Sequence, residues 1–322
     1  MKAAIYRGPH NIKIEEVPEP EVKGRKVLVN FKAGSICGTD MHFCRGEWAL
    51  KRGRILGHDA CGVRADTGER VVMVPVVNCG HCYFCLRGFP SLCVRAKLYG
   101  LTRDGFFVES KAMLPRSLIS LPSIVSDEEA AIVEPVALAV RVMNNFKPNL
   151  GDWVTVVGQG PIGLLMTQVA LLKGCRVIAV DLEDYRLEVS EKYGADAIIN
   201  AKKEDVAKTV RKLTKMGFDF VIEAAGTTRT VEQTPFLVRK AGKVALVGES
   251  DGYLNLEEAD EIQFFTIYLS PVEYPSAIDL IARKLVDVKG LISHKFKLVD
   301  FEKALQTVGN PAEKPLQIVI TQ

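Results

Sequence analysis

The chain has 322 residues, of which 48% are hydrophobic and 25% charged, and its formal net charge is +3. This length allows two domains with hydrophobic cores, and so small a charge argues against a nucleic acid or a membrane surface as partner. The N-terminus lacks the apolar core of a signal peptide, and no stretch approaches the roughly 20 apolar residues of a membrane span. We therefore expect a soluble, cytoplasmic protein.

The beginning of the chain has the pattern of an antiparallel, mostly β domain. Glycine and proline steps at residues 8–9 and 18–20 separate short runs in which apolar residues alternate with polar ones. The predicted strands are Ala3–Tyr6, Ile12–Ile14, Lys26–Phe31 and Glu69–Val74.

Residues 37–42 read Cys-Gly-Thr-Asp-Met-His and bring a thiol, a hydroxyl, a carboxylate and an imidazole together. Such a set is typical of a metal site that moves protons. A catalytic zinc needs three protein ligands and one free position, and Cys37 and His58 are candidate ligands from separate loops. Trp48, close after the motif, is either a wall of the substrate cleft or a core or interface aromatic.

The third ligand is either Glu134 or Asp59. The pattern turns helical after Asp127 and is interrupted by Pro135, so Glu134 lies in an apolar segment where its carboxylate needs a metal or a salt bridge as partner. Asp59 adjoins His58, and adjacent side chains on an extended strand point to opposite faces. We therefore expect Glu134 to bind the metal. Asp59 would either contact a metal ligand without touching the metal itself, or serve as an alternate ligand.

Four of the eight cysteines are clustered at Cys79, Cys82, Cys85 and Cys93. Turns of the Cys-x2-Cys type let neighbouring thiolates approach one tetrahedral Zn²⁺, and a closed set of four sulfurs leaves no open position. The spacing therefore favours a structural zinc that holds a loop. An iron–sulfur cluster, or buried or disulfide-paired cysteines, are the alternatives.

From Asp152 onward, strands and helices alternate, which predicts a doubly wound parallel sheet. The predicted strands are Trp153–Val157, Arg176–Val180, Ala197–Ile199, Phe218–Glu223 and Lys243–Gly248. The predicted helices are Ile162–Lys173, Tyr185–Tyr193, Glu204–Met216 and Arg229–Arg239. The tail then either extends this sheet or returns to the first domain, through Tyr274–Leu285 and Phe301–Val308 as helices and Leu291–Phe296 and Leu316–Ile320 as strands.

A Gly-x-Gly-x-x-Gly stretch at residues 158–163 follows a predicted strand and opens a predicted helix. Such glycines let a pyrophosphate approach the helix N-terminus, whose free amides and dipole favour anions. Asp181 ends the next strand, where it can accept hydrogen bonds from ribose hydroxyls and repel a 2′-phosphate, which favours NAD over NADP. An ordinary strand–helix turn, with Arg186 a solvated helix residue, is the alternative. The candidate cofactor-binding residues are Gly158, Gly160, Pro161, Ile162, Gly163, Asp181 and Arg186.

In this order, the 37–42 motif, Gly57-His58, the four-cysteine lobe, Glu134-Pro135 and the late dinucleotide fold resemble the zinc-dependent medium-chain alcohol dehydrogenase superfamily. The resemblance covers essentially the whole chain. Glu134-Pro135 and the tail segment Tyr274–Ile278 are most similar to the sorbitol (polyol) and threonine dehydrogenase branch.

The resemblance implies an α/β protein of two domains. A mostly-β GroES-like catalytic domain would occupy residues 1–138, with the structural-zinc lobe at 79–93. A doubly wound, parallel-sheet (Rossmann) NAD-binding domain would occupy residues 139–270, and residues 271–322 would return to the catalytic domain. The protein would act on a small-molecule alcohol and assemble as a homo-oligomer, a dimer or a homotetramer.

The resemblance also implies residue roles. Thr39 would contact the substrate oxygen, and His42 would pass the proton on to solvent. The implied ligands are Cys37, His58 and Glu134 for the catalytic zinc, Cys79, Cys82, Cys85 and Cys93 for the structural zinc, and Gly158, Gly160, Gly163 and Asp181 for NAD.

Three departures from the family pattern bear on the site. Asp59 stands where the family usually has Glu, Arg141 stands where polyol and threonine members commonly have His, and the stretch from Gly62 to Cys79 is short. No necessary group is lost. The first two departures leave the third metal ligand and the substrate open.

We expect an oxidoreductase that transfers a hydride between NAD and an alcohol or polyol. The alternatives are a threonine- or sugar-specific dehydrogenase of the same superfamily, and a catalytically silent regulatory protein that binds NAD or zinc. A silent protein would be expected to lack Cys37, Thr39, His42 or His58, and all four are present. The ligand set also disfavours a zinc-free quinone reductase relative.

Overall fold

The computed structural model describes residues 1–254 and 259–322. They divide into two compact units, one formed by Met1–Ala137 with Leu269–Gln322 and the other by Leu138–Tyr268. The domain boundaries predicted after residues 138 and 270 lie within two residues of these divisions. No helix in the described part of the chain is both long and apolar enough to cross a bilayer.

The described residues form eighteen strands and ten α-helices. The strands are β1 (Lys2–Gly8), β2 (Asn11–Glu16), β3 (Val27–Ser35), β4 (Arg54–Ile55), β5 (Asp59–Arg64), β6 (Arg70–Met73), β7 (Val76–Val77), β8 (Lys97–Leu98), β9 (Ser110–Met113), β10 (Leu118–Ser120), β11 (Trp153–Val157), β12 (Arg176–Asp181), β13 (Ala197–Asn200), β14 (Phe218–Glu223), β15 (Val238–Leu246), β16 (Gln263–Thr266), β17 (Ile292–Lys297) and β18 (Gln317–Thr321). The helices are α1 (Gly38–Arg45), α2 (Tyr83–Leu86), α3 (Asp127–Ala130), α4 (Val133–Phe146), α5 (Pro161–Leu172), α6 (Asp184–Lys192), α7 (Val206–Thr214), α8 (Thr228–Leu237), α9 (Tyr274–Ala282) and α10 (Phe301–Val308).

The first unit is built mainly from β-strands, as the alternation of its sequence predicts. Its largest sheet has the order β10-β6-β5-β3-β18-β17, with β9 also paired to β3, and a three-stranded sheet has the order β2-β1-β4. Strand β18 pairs antiparallel with β3, with Val319 opposite Ser35. The tail therefore joins the sheet of the first unit and does not extend the parallel sheet.

Aromatic packing ties the tail into the core of the first unit. The ring of Phe107 lies 6.4 Å from that of Phe31 and 4.8 Å from that of Phe301, which begins α10. All three residues are almost completely buried. Gly57 must remain a glycine because its φ is +89° and a Cβ there would lie 2.6 Å from the Phe107 ring. The core thus dictates the backbone path directly before His58.

The second unit is the doubly wound parallel sheet that the sequence predicts. Its strand order is β13-β12-β11-β14-β15-β16, and every adjacent pair in it is parallel. The order reverses between β11 and β14, which is where ligands bind in sheets of this kind. Strand β11 is followed directly by the glycine-rich stretch that opens α5.

Several predicted elements differ from the structure. The helix predicted to run to Arg239 ends at Leu237, and β15 begins at Val238 because the ladder with β14 shifts register around Ala241, whose φ is +56°. Strand β16 was not predicted. Pro135 does not interrupt its helix, because it lies in the first turn of α4, where no intrahelical N–H is needed; the break comes before Val133.

Substituting Gly163 with Ala should destabilise the second unit. A Cβ there would lie 1.8 Å from the carbonyl oxygen of Gly158, so the glycine-rich turn would have to open. We expect a loss of about 1–3 kcal/mol in the free energy of unfolding, measured by chemical denaturation.

Gly160→Ala is the matched control in the same turn. Its φ of −66° suits an alanine, and a Cβ would approach only Arg186 Nη1, at 4.0 Å. Equal stability of Gly163→Ala and the wild type would contradict the close approach described here.

Candidate active site

Cys37 lies between the end of the long strand β3 and the start of helix α1. It is the N-cap residue of α1, and its backbone N–H donates to Oδ2 of Asp40 at 3.1 Å. Asp40 is only 1% exposed, so this bond is shielded from water. The thiol is therefore held by a buried turn at the start of the helix, as a positioned ligand requires.

His58 and Asp59 are brought to Cys37 by strand pairing. Strand β5 begins at Asp59, which stands opposite Ser35 in the antiparallel ladder of β3 and β5. The end of one strand thus meets the start of the other. One ligand atom from each of Cys37, His58 and Asp59 lies within 4.8 Å of the other two, and His58 Nε2 is 3.7 Å from Asp59 Oδ2.

The site holds more buried negative groups than its single imidazole can balance. Burial raises the pKa values of Asp40, Asp59 and Glu134. Burial alone would lower the pKa of His58, but Asp59, Cys37 and Asp40 together raise it well above 6.5. Such shifts mean that a nearby positive charge would stabilise the ionised form of these carboxyl groups.

Unsatisfied polar atoms give an independent test of whether a metal fits. Within the described residues, Nδ1 of His58 and both carboxylate oxygens of Asp59 are buried without a hydrogen-bond partner, and the nearby Ser35 hydroxyl is outside hydrogen-bonding geometry. Buried polar groups are normally paired. A sulfur, a nitrogen and an oxygen donor are also the ligand types that Zn²⁺ prefers. The residues present therefore fit a zinc ion.

The sequence and the structure favour different residues as the third metal ligand. Asp59 belongs to the group with Cys37 and His58, whereas Glu134 does not. His58 and Asp59 do not alternate across one strand, because strand β5 begins at Asp59 and His58 is in the preceding loop. Glu134, in the first turn of α4, is buried, and its pKa responds to the charges of Asp59 and His58. Its role as a ligand stays a prediction.

Helix α1 carries the proposed proton path. Thr39 Oγ1 lies 3.7 Å from the Cys37 sulfur, and His42 follows three residues later on the same face of the helix. Trp48 stacks on the His42 ring with centroids 4.2 Å apart and packs edge-on against Phe43. Trp48 therefore lies in contact with His42. The role of Trp48 as a wall of the substrate cleft stays a prediction.

Tyr274 interacts electrostatically with Glu134 and Asp59, and no motif in the sequence indicates a role for it. It is fully buried, and its hydroxyl has no hydrogen-bond partner among the described residues. Burial raises its pKa well above 10, and the charges of Glu134 and Asp59 add to this effect. The tail of the chain therefore contributes to the surroundings of the metal group.

The four clustered cysteines converge as their spacing predicts. One sulfur from each of Cys79, Cys82, Cys85 and Cys93 lies within 4.8 Å of the other three, and all four are free thiols. The backbone N–H of Cys79 donates to the Cys93 sulfur at 3.3 Å. Donation from the backbone of Cys85 lowers the pKa of Cys82, which favours the thiolate that binds metal. This closed sulfur set fits a structural zinc.

The glycine-rich turn of the second unit has the geometry of a phosphate cradle. Gly158 has φ +92°, Gly160 is the N-cap of α5, and Pro161 occupies its first turn. Asp181 is 8% exposed and accepts hydrogen bonds from the backbone N–H groups of residues 159, 182 and 183. Arg186 Nη1 lies 3.9 Å from Asp181 Oδ2. The carboxylate is thus fixed at the edge of the turn, with further lone pairs to accept from ribose hydroxyls.

Comparison with known proteins agrees with both halves of this description. Residues 23–123 match the family model of the alcohol dehydrogenase GroES-like domain, and residues 161–283 match that of the zinc-binding dehydrogenase. A sorbitol dehydrogenase from Bacillus subtilis is 31% identical over 99% of this chain and 97% of its own length. An L-threonine 3-dehydrogenase from Bacillus licheniformis is 30% identical over 95% of either chain.

A solved structure extends the likeness to three dimensions. The alcohol dehydrogenase RspB from Escherichia coli CFT073, crystallised with NADH, superposes with a TM-score of 0.91 at 29% identity, covering 100% of this chain and 99% of that one. Sequence relatives and fold thus agree along the whole length. The chain belongs to the zinc-dependent medium-chain alcohol dehydrogenase superfamily, in the branch that contains the sorbitol and threonine dehydrogenases.

Proposed function

We propose that this protein is a zinc-containing dehydrogenase that transfers a hydride between NAD and a hydroxyl carbon of an alcohol or polyol, giving a ketone or aldehyde. The observation that carries the proposal is the buried group of Cys37, His58 and Asp59, with the hydroxyl of Thr39 beside its sulfur. The sorbitol dehydrogenase relative supports a polyol, and the NADH complex of RspB supports NAD.

Zinc held by Cys37, His58 and a carboxylate of Asp59 or Glu134 would supply Lewis-acid polarisation of the substrate oxygen. Thr39 would orient the substrate hydroxyl, accept its proton and release its own hydroxyl proton toward His42. His42, whose side chain is 26% exposed, would pass that proton to solvent. The nicotinamide carries the hydride chemistry, so the remaining task of the chain is orientation and exclusion of water.

The alternative substrates are L-threonine, supported by the second relative, and sugars. A catalytically silent NAD- and zinc-binding protein is disfavoured because Cys37, Thr39, His42 and His58 are all present. Assembly into a dimer or tetramer stays a prediction, which sedimentation of the purified protein would test.

The zinc-loaded protein should produce NADH, measured by its absorbance, from at least one member of a panel of polyols, secondary alcohols, sugars and threonine. The value of kcat/KM should be higher with NAD than with NADP. Asp181→Ala should raise KM for NAD at least about tenfold, since a hydrogen bond to a charged group contributes about 1.5–3 kcal/mol. The same substitution should also lower the ratio of kcat/KM with NAD to kcat/KM with NADP. No NADH from any substrate would favour the silent protein.

Metal analysis can identify the third zinc ligand. We expect Asp59→Asn to lose one equivalent of zinc together with activity, and Glu134→Gln to keep its zinc, because only Asp59 lies within the group of ligand atoms. Cys85→Ser is the control, since it should lose the other equivalent and lower thermal stability. The reverse result for the two carboxylates would make Glu134 the ligand, and unchanged zinc in both would contradict the site.

His42→Ala should lower kcat by about 10²–10⁴-fold, the contribution typical of a positioned general base. Because the side chain lies at the solvent end of the proposed path, an added small base such as imidazole should restore part of the rate. NADH binding, measured by fluorescence, should be unchanged. A full rate in this variant would exclude His42 from proton transfer.

A further inference from the structure

The imidazole of His42 is held on two sides by residues that follow α1. Its Nδ1 lies 2.5 Å from Oε2 of Glu47, and its ring stacks on Trp48 with the planes 12° apart. The other carboxylate oxygen of Glu47 lies 3.8 Å from Nη1 of Arg45. One face and one nitrogen of the ring are therefore occupied, which leaves Nε2 as the nitrogen available for proton exchange.

The end of helix α1 explains why Glu47 reaches His42. Gly46 ends the helix with φ +74°, and the backbone N–H of Glu47 then donates to the carbonyl of His42 at 3.0 Å. This bond is the long-range bond of a Schellman turn, in which these two side chains face each other. An alanine at position 46 would place its Cβ 2.7 Å from Pro9, so the turn depends on glycine. Backbone geometry thus imposes the pairing of the carboxylate with the imidazole.

A carboxylate at Nδ1 determines which nitrogen of a neutral histidine carries hydrogen. An ionised carboxylate only accepts hydrogen bonds, so Nδ1 must be the donor and Nε2 the free lone pair. We propose that Glu47 is a positioning residue of the proton path, which holds His42 in the Nδ1–H tautomer with Nε2 ready to accept a proton. The inference rests on the proposed function, because it assumes that His42 accepts the proton.

The proton balance of this step is simple. The proton leaves an oxygen of the path that begins at Thr39 and forms a bond to the lone pair of Nε2, which gives an imidazolium beside the Glu47 carboxylate. The same proton then leaves from Nε2 to water, and the hydrogen on Nδ1 stays in place throughout. Nothing is oxidised or reduced in this step, and no co-reactant is needed.

Stability cannot be the main role of this pair. The side chains of His42 and Glu47 are 26% and 45% exposed, and ion pairs so accessible to water contribute little to folding. Glu47→Gln should therefore fold and melt like the wild type. The substitution should instead change the tautomer of His42 and the value of kcat. A contact with a purely structural role would change neither.

The experiment compares Glu47→Gln with Glu302→Gln in the full-length, zinc-loaded protein. Glu302 is a matched control on the same unit, with 46% exposure and an ion pair to Lys13 at 2.9 Å. Nitrogen-15 NMR of labelled histidine side chains reports the tautomer, and His42→Ala identifies the His42 signals among the five histidines. Steady-state kinetics with the best alcohol of the panel gives kcat and KM separately.

We expect the wild type and Glu302→Gln to show hydrogen on Nδ1 of His42, and Glu47→Gln to populate the Nε2–H tautomer. The kcat of Glu47→Gln should fall roughly tenfold, a fraction of the effect of a whole positioned base, with KM values for alcohol and NAD little changed. An unchanged tautomer in Glu47→Gln, or an equal loss of kcat in Glu302→Gln, would overturn the inference.

The two proposals can fail separately. If His42→Ala loses turnover but Glu47→Gln keeps both the wild-type tautomer and kcat, only the role of Glu47 is wrong. If His42→Ala turns over at the full rate, the proton path through His42 is wrong, and the inference about Glu47 falls with it.

Discussion

The pairing of β3 with β5 is the interaction that brings Cys37, His58 and Asp59 together. Because Ser35 stands opposite Asp59, Cys37 just beyond the end of one strand meets His58 just before the start of the other. Gly57 makes this approach possible, since the Phe107 ring fills the space that a side chain would need. A hydrogen-bonded ladder, which tolerates little displacement, therefore sets the separation of the ligand atoms.

Within the described residues, the buried carboxyl groups around His58 lack a compensating positive charge. Asp40, Asp59 and Glu134 are buried around a single imidazole, and burying carboxylates without compensation is costly. The bond from Cys37 N–H relieves part of that cost for Asp40, but the oxygens of Asp59 have no partner among the described residues. A bound cation would compensate all three groups together. The buried carboxyl groups that destabilise the fold would thus favour the binding of a metal ion.

Helix α1 and its N-cap bring the candidate groups for metal binding and proton transfer together between Cys37 and His42. Its N-cap supplies the thiol, its first turn the hydroxyl of Thr39, and its last turn the imidazole of His42. The Schellman turn at its end adds Glu47, so both ends of the helix carry residues of the proposed site. In the second unit, α5 has a comparable place, because its N-terminus follows the central strand β11 and would face the pyrophosphate of a bound dinucleotide.

The sequence by itself determined the features that depend on local spacing. These are the four-cysteine lobe, the glycine-rich turn, the alternation of the parallel sheet and the family that their order resembles. Only the tertiary structure decided that β18 joins β3, that Asp59 lies with Cys37 and His58, and that Glu47 holds His42. The physical reason is that strand pairing joins residues distant in sequence, whereas the conformation at a helix end or a strand start decides which neighbouring side chains meet. Residue spacing along the chain does not encode either.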